Sequence, residues 1–276
     1  MKNSALKLLG LITLTLTVAC GDNTAAPMIS EIETIVLYDY EVEEHYITEI
    51  DYRNGNEVDL VSVYSGNTQI GNKSFYYDID DNVVTRIDYN YESSALNFTM
   101  LADYNSDLQL TKLFRPNASP DESIKLGYQQ DRLASLRSSD YNVSHDYNFN
   151  GELERSTKDD LEISLRWTDG LIKSLRETLS GDSVKTDFFY DDDRLHDVST
   201  DEFMSLITYD DQGRITEIHT MYLHYPIDVY TTYRYQEGTV AGVQPTPAFF
   251  GGDHFGMDGK PLTEIPAITL DGFNIL

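Results

Sequence analysis

Six histidines, one cysteine and 47 acidic residues are the side chains of this 276-residue chain that could carry chemistry. His45, His145, His196, His219, His224 and His254 stand singly. His219 and His224 are five apart, which puts them on opposite faces of a regular strand. That spacing builds no zinc site, and solvated strand or turn histidines are the expectation. The chain has no Gly-x-Ser-x-Gly elbow, no phosphate-cradling glycine loop and no His-Glu-x-x-His. With so many acids, accidental pairs abound, so no carboxylate pair for glycoside hydrolysis can be named. Asp78-Ile79-Asp80-Asp81-Asn82 alternates oxygen-bearing side chains like the start of a calcium loop, making Asp78, Asp80 and Asn82 candidate ligands. Val83 stands where an EF-hand needs Gly and Tyr89 where it needs Glu, so the pattern fails as an EF-hand. An acidic hairpin turn is the simpler reading there and at Asp191-Asp192-Asp193, and no cofactor other than this calcium is expected.

The cysteine has a clearer role. Lys2 and Lys7 flank an apolar run from Leu8 to Leu16 that is too short to span a bilayer. Val18-Ala19-Cys20 follows it. This resembles the bacterial lipobox, in which the cysteine is lipidated and becomes the first residue of the mature protein; Thr17 departs from the usual Leu. The resemblance implies residues 1–20 as a signal peptide, Cys20 as the lipid anchor and, with Gly21 next, the outer membrane. Residues 21–30 then read as a flexible tether. No cysteine remains for disulfides.

Removing Lys2 and Lys7 leaves 18 basic residues against the 47 acids, a formal net charge of −29. Such a surface repels nucleic acid and anionic head groups. It suits cations or basic partners, although many of the acids occupy turns for backbone reasons.

One stretch organises the rest: Tyr209-Asp210-Asp211-Gln212-Gly213-Arg214-Ile215-Thr216-Glu217-Ile218. Ser205–Tyr209 is rich in strand formers. Asp210–Gly213 reads as a type I turn whose Gly213 takes positive φ, and a second strand begins at Arg214. The unit recurs with an aromatic anchor followed by an apolar residue: Tyr52/Val58, Tyr77/Val83, Tyr104/Leu110, Tyr128/Leu133, Tyr147/Leu153, Trp167/Ile172, Tyr190/Leu195, Tyr209/Ile215 and Tyr235/Val240. A second apolar residue follows three positions later, except at Arg86 and Ser156. A three-residue step puts this pair on opposite faces of a regular strand, so either both faces are covered or a bulge intervenes. The anchors lie 19 to 27 residues apart, the period of a repeat array whose units bury their faces on one another.

Tyr209–Ile218, and in shortened form Tyr190-Asp191-Asp192-Asp193-Arg194-Leu195, resemble the tyrosine-aspartate (YD) repeat of Rhs-type proteins and related bacterial surface lipoproteins. The resemblance implies a β-sheet shell or scaffold with no active site in the repeat itself. The anchors and Gly213 are accordingly structural.

The expected fold is all-β: an antiparallel hairpin array over residues 31–245, curled or barrel-like, with a Gly/Pro-rich cap at 246–276. Glu31–Tyr40, Glu44–Tyr52 and Val58–Tyr64 read as strands leading into the array. Leu126–Leu136 is the one stretch compatible with a helix. An integral β-barrel is disfavoured because no lipid-facing apolar band is evident. The function expected is a lipid-anchored envelope protein that binds or scaffolds a glycan or protein, facing the periplasm or the cell surface. The alternative is a glycan hydrolase using an unnamed carboxylate pair. Millimolar calcium is expected to leave the melting temperature of residues 21–276 unchanged; a rise of several degrees, lost in Asp78→Ala, would make the acidic turns ligands.

Overall fold

The computed structural model describes residues 28–236, apart from 54–56, 79–82, 93–96, 117–122, 131, 138–141, 159 and 193. The leader, Cys20, Asp80, Asn82, His254 and the expected cap therefore lie outside the described residues. Eighteen strands follow one another: β1 (Met28–Tyr38), β2 (Glu41–Arg53), β3 (Glu57–Ser65), β4 (Thr68–Tyr77), β5 (Val84–Tyr91), β6 (Phe98–Tyr104), β7 (Leu110–Phe114), β8 (Ile124–Gln129) and β9 (Arg132–Arg137). The second half contains β10 (Asn142–Tyr147), β11 (Leu153–Lys158), β12 (Leu161–Thr168), β13 (Leu171–Leu179), β14 (Asp182–Asp191), β15 (Arg194–Ser199), β16 (Phe203–Tyr209), β17 (Ile215–Tyr222) and β18 (Ile227–Gln236). Each pairs antiparallel with the next, and β18 pairs with β1, so the sheet closes on itself as an up-and-down barrel. The helix tolerated over Leu126–Leu136 is instead the β8–β9 hairpin, turned at Gln130 with φ 52°. Met28–Ser30, placed in the tether by sequence, already belong to β1.

The repeat is visible as a register. Every anchor faces an apolar residue across its hairpin: Tyr52 faces Val58, Tyr104 Leu110, Tyr128 Leu133, Tyr147 Leu153, Trp167 Ile172, Tyr190 Leu195 and Tyr209 Ile215. Each pair sits beside a β-bulge, so one extra residue such as Thr216 separates the apolar residue from the regular ladder. The bulge resolves the three-residue step: Ile215 and Ile218 are both buried on one face. Two expected partners are corrected. Tyr77 faces Val84 rather than Val83, and the second apolar residue of that unit is buried Ile87, so Arg86 breaks no pattern. Tyr235 faces Ile29 of β1, and Ile29/Ile32 supply the apolar pair that the sequence assigned to Val240, a residue outside those described. The N-terminal strand is therefore the return half of the ninth hairpin, not a lead-in to the array.

A second bond links neighbouring hairpins. The anchor hydroxyl donates to the carbonyl of the preceding unit's apolar residue: Tyr77 to Val58 (3.0 Å), Tyr104 to Val84 (2.6 Å), Tyr128 to Leu110 (2.9 Å) and Tyr147 to Leu133 (2.8 Å). Tyr209 reaches Leu195 (2.6 Å) and Tyr235 reaches Ile215 (2.7 Å), while Trp167 does the same through Nε1 to Leu153 (2.6 Å). Tyr52 donates to Ile29 (2.8 Å), which carries the ladder across the closure. Burial pushes the Tyr77 and Tyr235 hydroxyls up to about 12, which keeps these groups as donors. The turn chemistry agrees with the sequence. Gly213 (φ 80°) donates to Asp210 O at 2.9 Å, and Asp210 Oδ1 accepts from the backbone of Gln212 and Arg214 at 2.9 Å each.

The two faces of the closed sheet are unlike. In register, Ile50, Val61, Phe75, Ile87, Leu136, Ile163, Val198 and Phe203 belong to one continuous buried cluster. Alternate positions carry Glu33, Asp51, Arg86, Asp88, Arg155, Glu162, Lys185, Asp187, Glu217 and Arg234. A single closed sheet has only its inside in which to bury a face, so the apolar side points inward. A round ring of 18 strands would be roughly 35 Å across and enclose water. Phe203, Leu136 and Ile163 are 0% exposed, so the walls press together and the interior is filled.

One unit breaks the apolar rule inside. Ser156 replaces the second apolar residue and, at 0% exposure, bonds His145 across the hairpin (Oγ to Nδ1, 2.7 Å). His145 Nε2 is buried without a partner.

Two tests follow from this packing. Tyr209→Phe removes one rung and should cost about 1 kcal/mol, read as a lower urea midpoint at unchanged m-value. Burial holds the His145 pKa down from 6.5 to about 4. The unfolded chain therefore takes up this proton before the folded one. Its contribution is complete above pH 6.5 and is lost as pH falls through 6.5 towards 4, by up to about 3 kcal/mol. Urea titrations at pH 7 and 4.5 should show that loss reduced in His145→Phe.

Candidate cleft over Trp167

At the end of the barrel where the anchors lie, a cleft of about 420 Å³ opens between the β10–β11 and β12–β13 turns. Asn148, Glu152 and Glu154 form one wall. Trp167, Arg166 and Asp169 form the other, and buried Leu165 lies at the base. The first wall is fixed by its turn: Asn148 Oδ1 accepts from Glu152 N at 3.0 Å, and Asn148 Nδ2 donates to Glu152 Oε2 at 2.7 Å. Trp167 is half-buried, with its indole N–H committed to Leu153. Phe149, between two cleft residues, is fully exposed (103%). The lining thus joins an aromatic ring to three carboxylates and one guanidinium.

Elsewhere on this end of the barrel, four anchor rings are covered by a cation. Arg53 Cζ lies 4.5 Å from the Tyr77 ring centre, Arg132 Cζ 5.6 Å from Tyr147, Lys173 Nζ 4.6 Å from Tyr190 and Arg214 Cζ 4.9 Å from Tyr235. Each cation comes from the hairpin before the ring it covers. Arg132 runs so close to the next turn that a Cβ added at Gly151 would lie 1.9 Å from its Nη2, and one added at Gly213 would lie 3.1 Å from Arg194 Nη2. The Gly-Arg of the repeat is therefore a contact between neighbours: the glycine leaves room for the previous unit's arginine.

Among the described residues, those singled out by sequence are not gathered into a catalytic centre. Asp78 closes its hairpin through its backbone N–H to Val83 O at 2.8 Å, and its proposed fellow ligands Asp80 and Asn82 lie outside the described residues. Among the described residues, no group of three or more His, Cys, Asp or Glu side chains could hold a metal ion. His45 pairs with Glu33 (2.9 Å) and His219 with Asp228 (3.0 Å) on the outer face, and His219 stacks on Tyr230 at 4.1 Å. The sequence reading missed the cleft, buried His145 and inward-facing Lys73, whose ammonium burial pushes down to about 7. Lys73 stands in the packed interior with its Nζ 5.6 Å from the Tyr89 ring centre, away from any opening described. The one available signal for the cleft was the replacement of Tyr by Trp at a single anchor.

No protein-family model and no curated protein matches the chain. Among solved structures, it is similar to a porin-like protein from Bacteroides uniformis (9% identity, 78% of this chain and 99% of the other, TM-score 0.42). It is also similar to a TcdB2–TccC3–Cdc42 structure (10% identity, 74% of this chain and 14% of the other, TM-score 0.36). The Photorhabdus luminescens Tc holotoxin pore matches 84% of this chain and 17% of its own at 9% identity, with a TM-score of 0.32. The likenesses are too loose to carry an assignment, and the functional reading rests on the molecule itself.

Proposed function

We propose that this chain is a lipid-anchored protein of the bacterial cell envelope whose barrel is a water-facing, non-enzymatic binding or scaffolding module. The observation that carries the reading is the polarity of the closed sheet: apolar inward, charged outward. Each Arg or Lys facing lipid at mid-membrane costs about 2–4 kcal/mol, so a wall bearing Arg86, Arg155, Lys185 and Arg234 does not insert. A packed interior likewise leaves no channel. Attachment then needs a separate device, and Cys20 behind its apolar leader supplies one by resemblance to the lipobox. The resemblance to YD repeats supports a scaffold, and Gly21 after the cysteine supports the outer membrane, with the barrel facing the periplasm or the cell surface. Among the described residues the barrel offers a concave feature, the Trp167 cleft, which suits binding. The hydrolase alternative needs a carboxyl held in an apolar setting to act as acid; Glu154 and Asp169 stand in solvent.

Wild-type protein expressed in a bacterial host should take up labelled palmitate and fractionate with membranes until detergent is added. Cys20→Ala should be unlabelled and appear in the soluble envelope fraction. A Cys20→Ala protein that resists alkaline carbonate extraction would mean the barrel itself inserts and the reading is wrong. Release of reducing ends from envelope glycans by purified protein would favour the hydrolase instead.

A further inference from the structure

The repeat carries an internal standard for what belongs over an anchor ring. Three positions on the preceding hairpin supply the covering cation. Arg132 and Arg214 stand immediately before the first apolar residue, Lys173 immediately after it, and Arg53 immediately after the anchor. On the hairpin that precedes Trp167, these same positions hold Glu152, Glu154 and Asn148. All three line the cleft. The slot has kept its aromatic floor, exchanged Tyr for Trp, the strongest of the aromatic platforms for a cation, and exchanged its built-in cation for carboxylates. The same three positions hold Asp78, Val83 and Thr85 before Tyr104, and Asn105, Gln109 and Thr111 before Tyr128; acids flank the apolar residue also before Tyr77, as Glu57 and Asp59, but there Arg53 covers the ring. Among the described anchors, acids at both flanking positions with no covering cation from the same hairpin are thus found at the Trp167 slot, and they coincide with the cleft.

Building on the binding role proposed above, we propose that the Trp167 cleft is a receptor site for a guanidinium group, presented by an arginine side chain of a partner polypeptide. The ligand takes the place that Arg132 or Arg214 occupies in other units. Its planar cation lies against the indole, while Glu152 and Glu154 accept its N–H groups on the side from which a covalent arginine would otherwise enter. Asp169 adds a third carboxylate, and Arg166 on the same wall balances one of the three charges. Three of the four internal covering residues are arginine, which favours guanidinium over ammonium. Fully exposed Phe149 at the rim offers an apolar contact to residues flanking that arginine, a contact that a free amine would not use.

Trp167 is the only tryptophan in the chain, so its fluorescence reports this site directly. The protein is titrated with a short peptide containing one arginine, the same peptide with citrulline or lysine in its place, and N-acetylarginine amide. The arginine peptide should change Trp167 emission saturably, bind at least tenfold tighter than the citrulline peptide, and weaken as salt rises. It should also bind several-fold tighter than N-acetylarginine amide, and Phe149→Ala should remove that advantage. Glu154→Gln should weaken binding severalfold. Glu152→Arg, which restores the covering residue from within, should abolish binding in a protein that still folds, although it gives up the Asn148–Glu152 hydrogen bond. Equal binding of arginine and citrulline peptides, or undiminished binding by a folded Glu152→Arg protein, overturns the proposal. Binding of N-acetylarginine amide as tight as the peptide keeps the guanidinium site but overturns the polypeptide partner. If envelope glycans perturb Trp167 and arginine does not, the cation assignment fails while the binding role stands; if arginine peptides are consumed in turnover, the non-enzymatic role itself fails.

Discussion

Eight of the nine hairpins in this barrel are tied to a neighbour by an aromatic donor reaching one unit back. Most hydrogen bonds of the sheet run between adjacent strands and would be satisfied in an open ribbon as well as in a closed one. The anchor bonds also join adjacent strands, but each runs from a side chain of one hairpin to a carbonyl of the hairpin before it and so adds a fixed contact between units beyond the backbone ladder. Eight such rungs are in place, from Tyr52 to Tyr235. The bulge beside each anchor makes room for the ring and turns the two following apolar residues to the same inward face. One local irregularity, repeated, therefore sets both the curvature and the core.

Closure follows from the same rung. Ile29 stands opposite Tyr235 as Ile215 stands opposite Tyr209, and Tyr52 donates to Ile29 as Tyr235 donates to Ile215. The first strand completes the last repeat, so neither sheet edge is left open. Closure also decides the chemistry available. With the apolar face sealed inside and charges outside, the described barrel presents to other molecules its outer wall and the two rims where turns meet. Buried Lys73 and His145 belong to the packed interior, where they bear on stability more than on reactivity.

The cleft illustrates how a repeat can acquire a site by subtraction. Where a unit supplies an arginine or lysine, the next ring is covered and the rim is continuous. Where Glu152 and Glu154 stand instead, the ring is left bare within an acidic recess. No catalytic motif marks the place, since each residue is an ordinary turn residue on its own hairpin. Only the relation of one hairpin to the next gives Glu152 and Trp167 a common purpose.

The hairpin unit, its aromatic anchor, the turn around Gly213 and the all-β class were legible in the chain because they depend on contacts within about ten residues. The same local view misjudged Tyr77, where a longer turn moves the partner from Val83 to Val84, and it read β8–β9 as compatible with a helix because apolar spacing is ambiguous over so short a span. Which strand completes the ninth hairpin could not be read locally: Ile29 and Tyr235 are brought together by the accumulated turn of the whole array. Sequence by itself determined the repeating part and what each part buries. The tertiary structure alone decided that the array closes, which face looks at water, and which rings are left uncovered, because those properties belong to pairs of hairpins and not to any one of them.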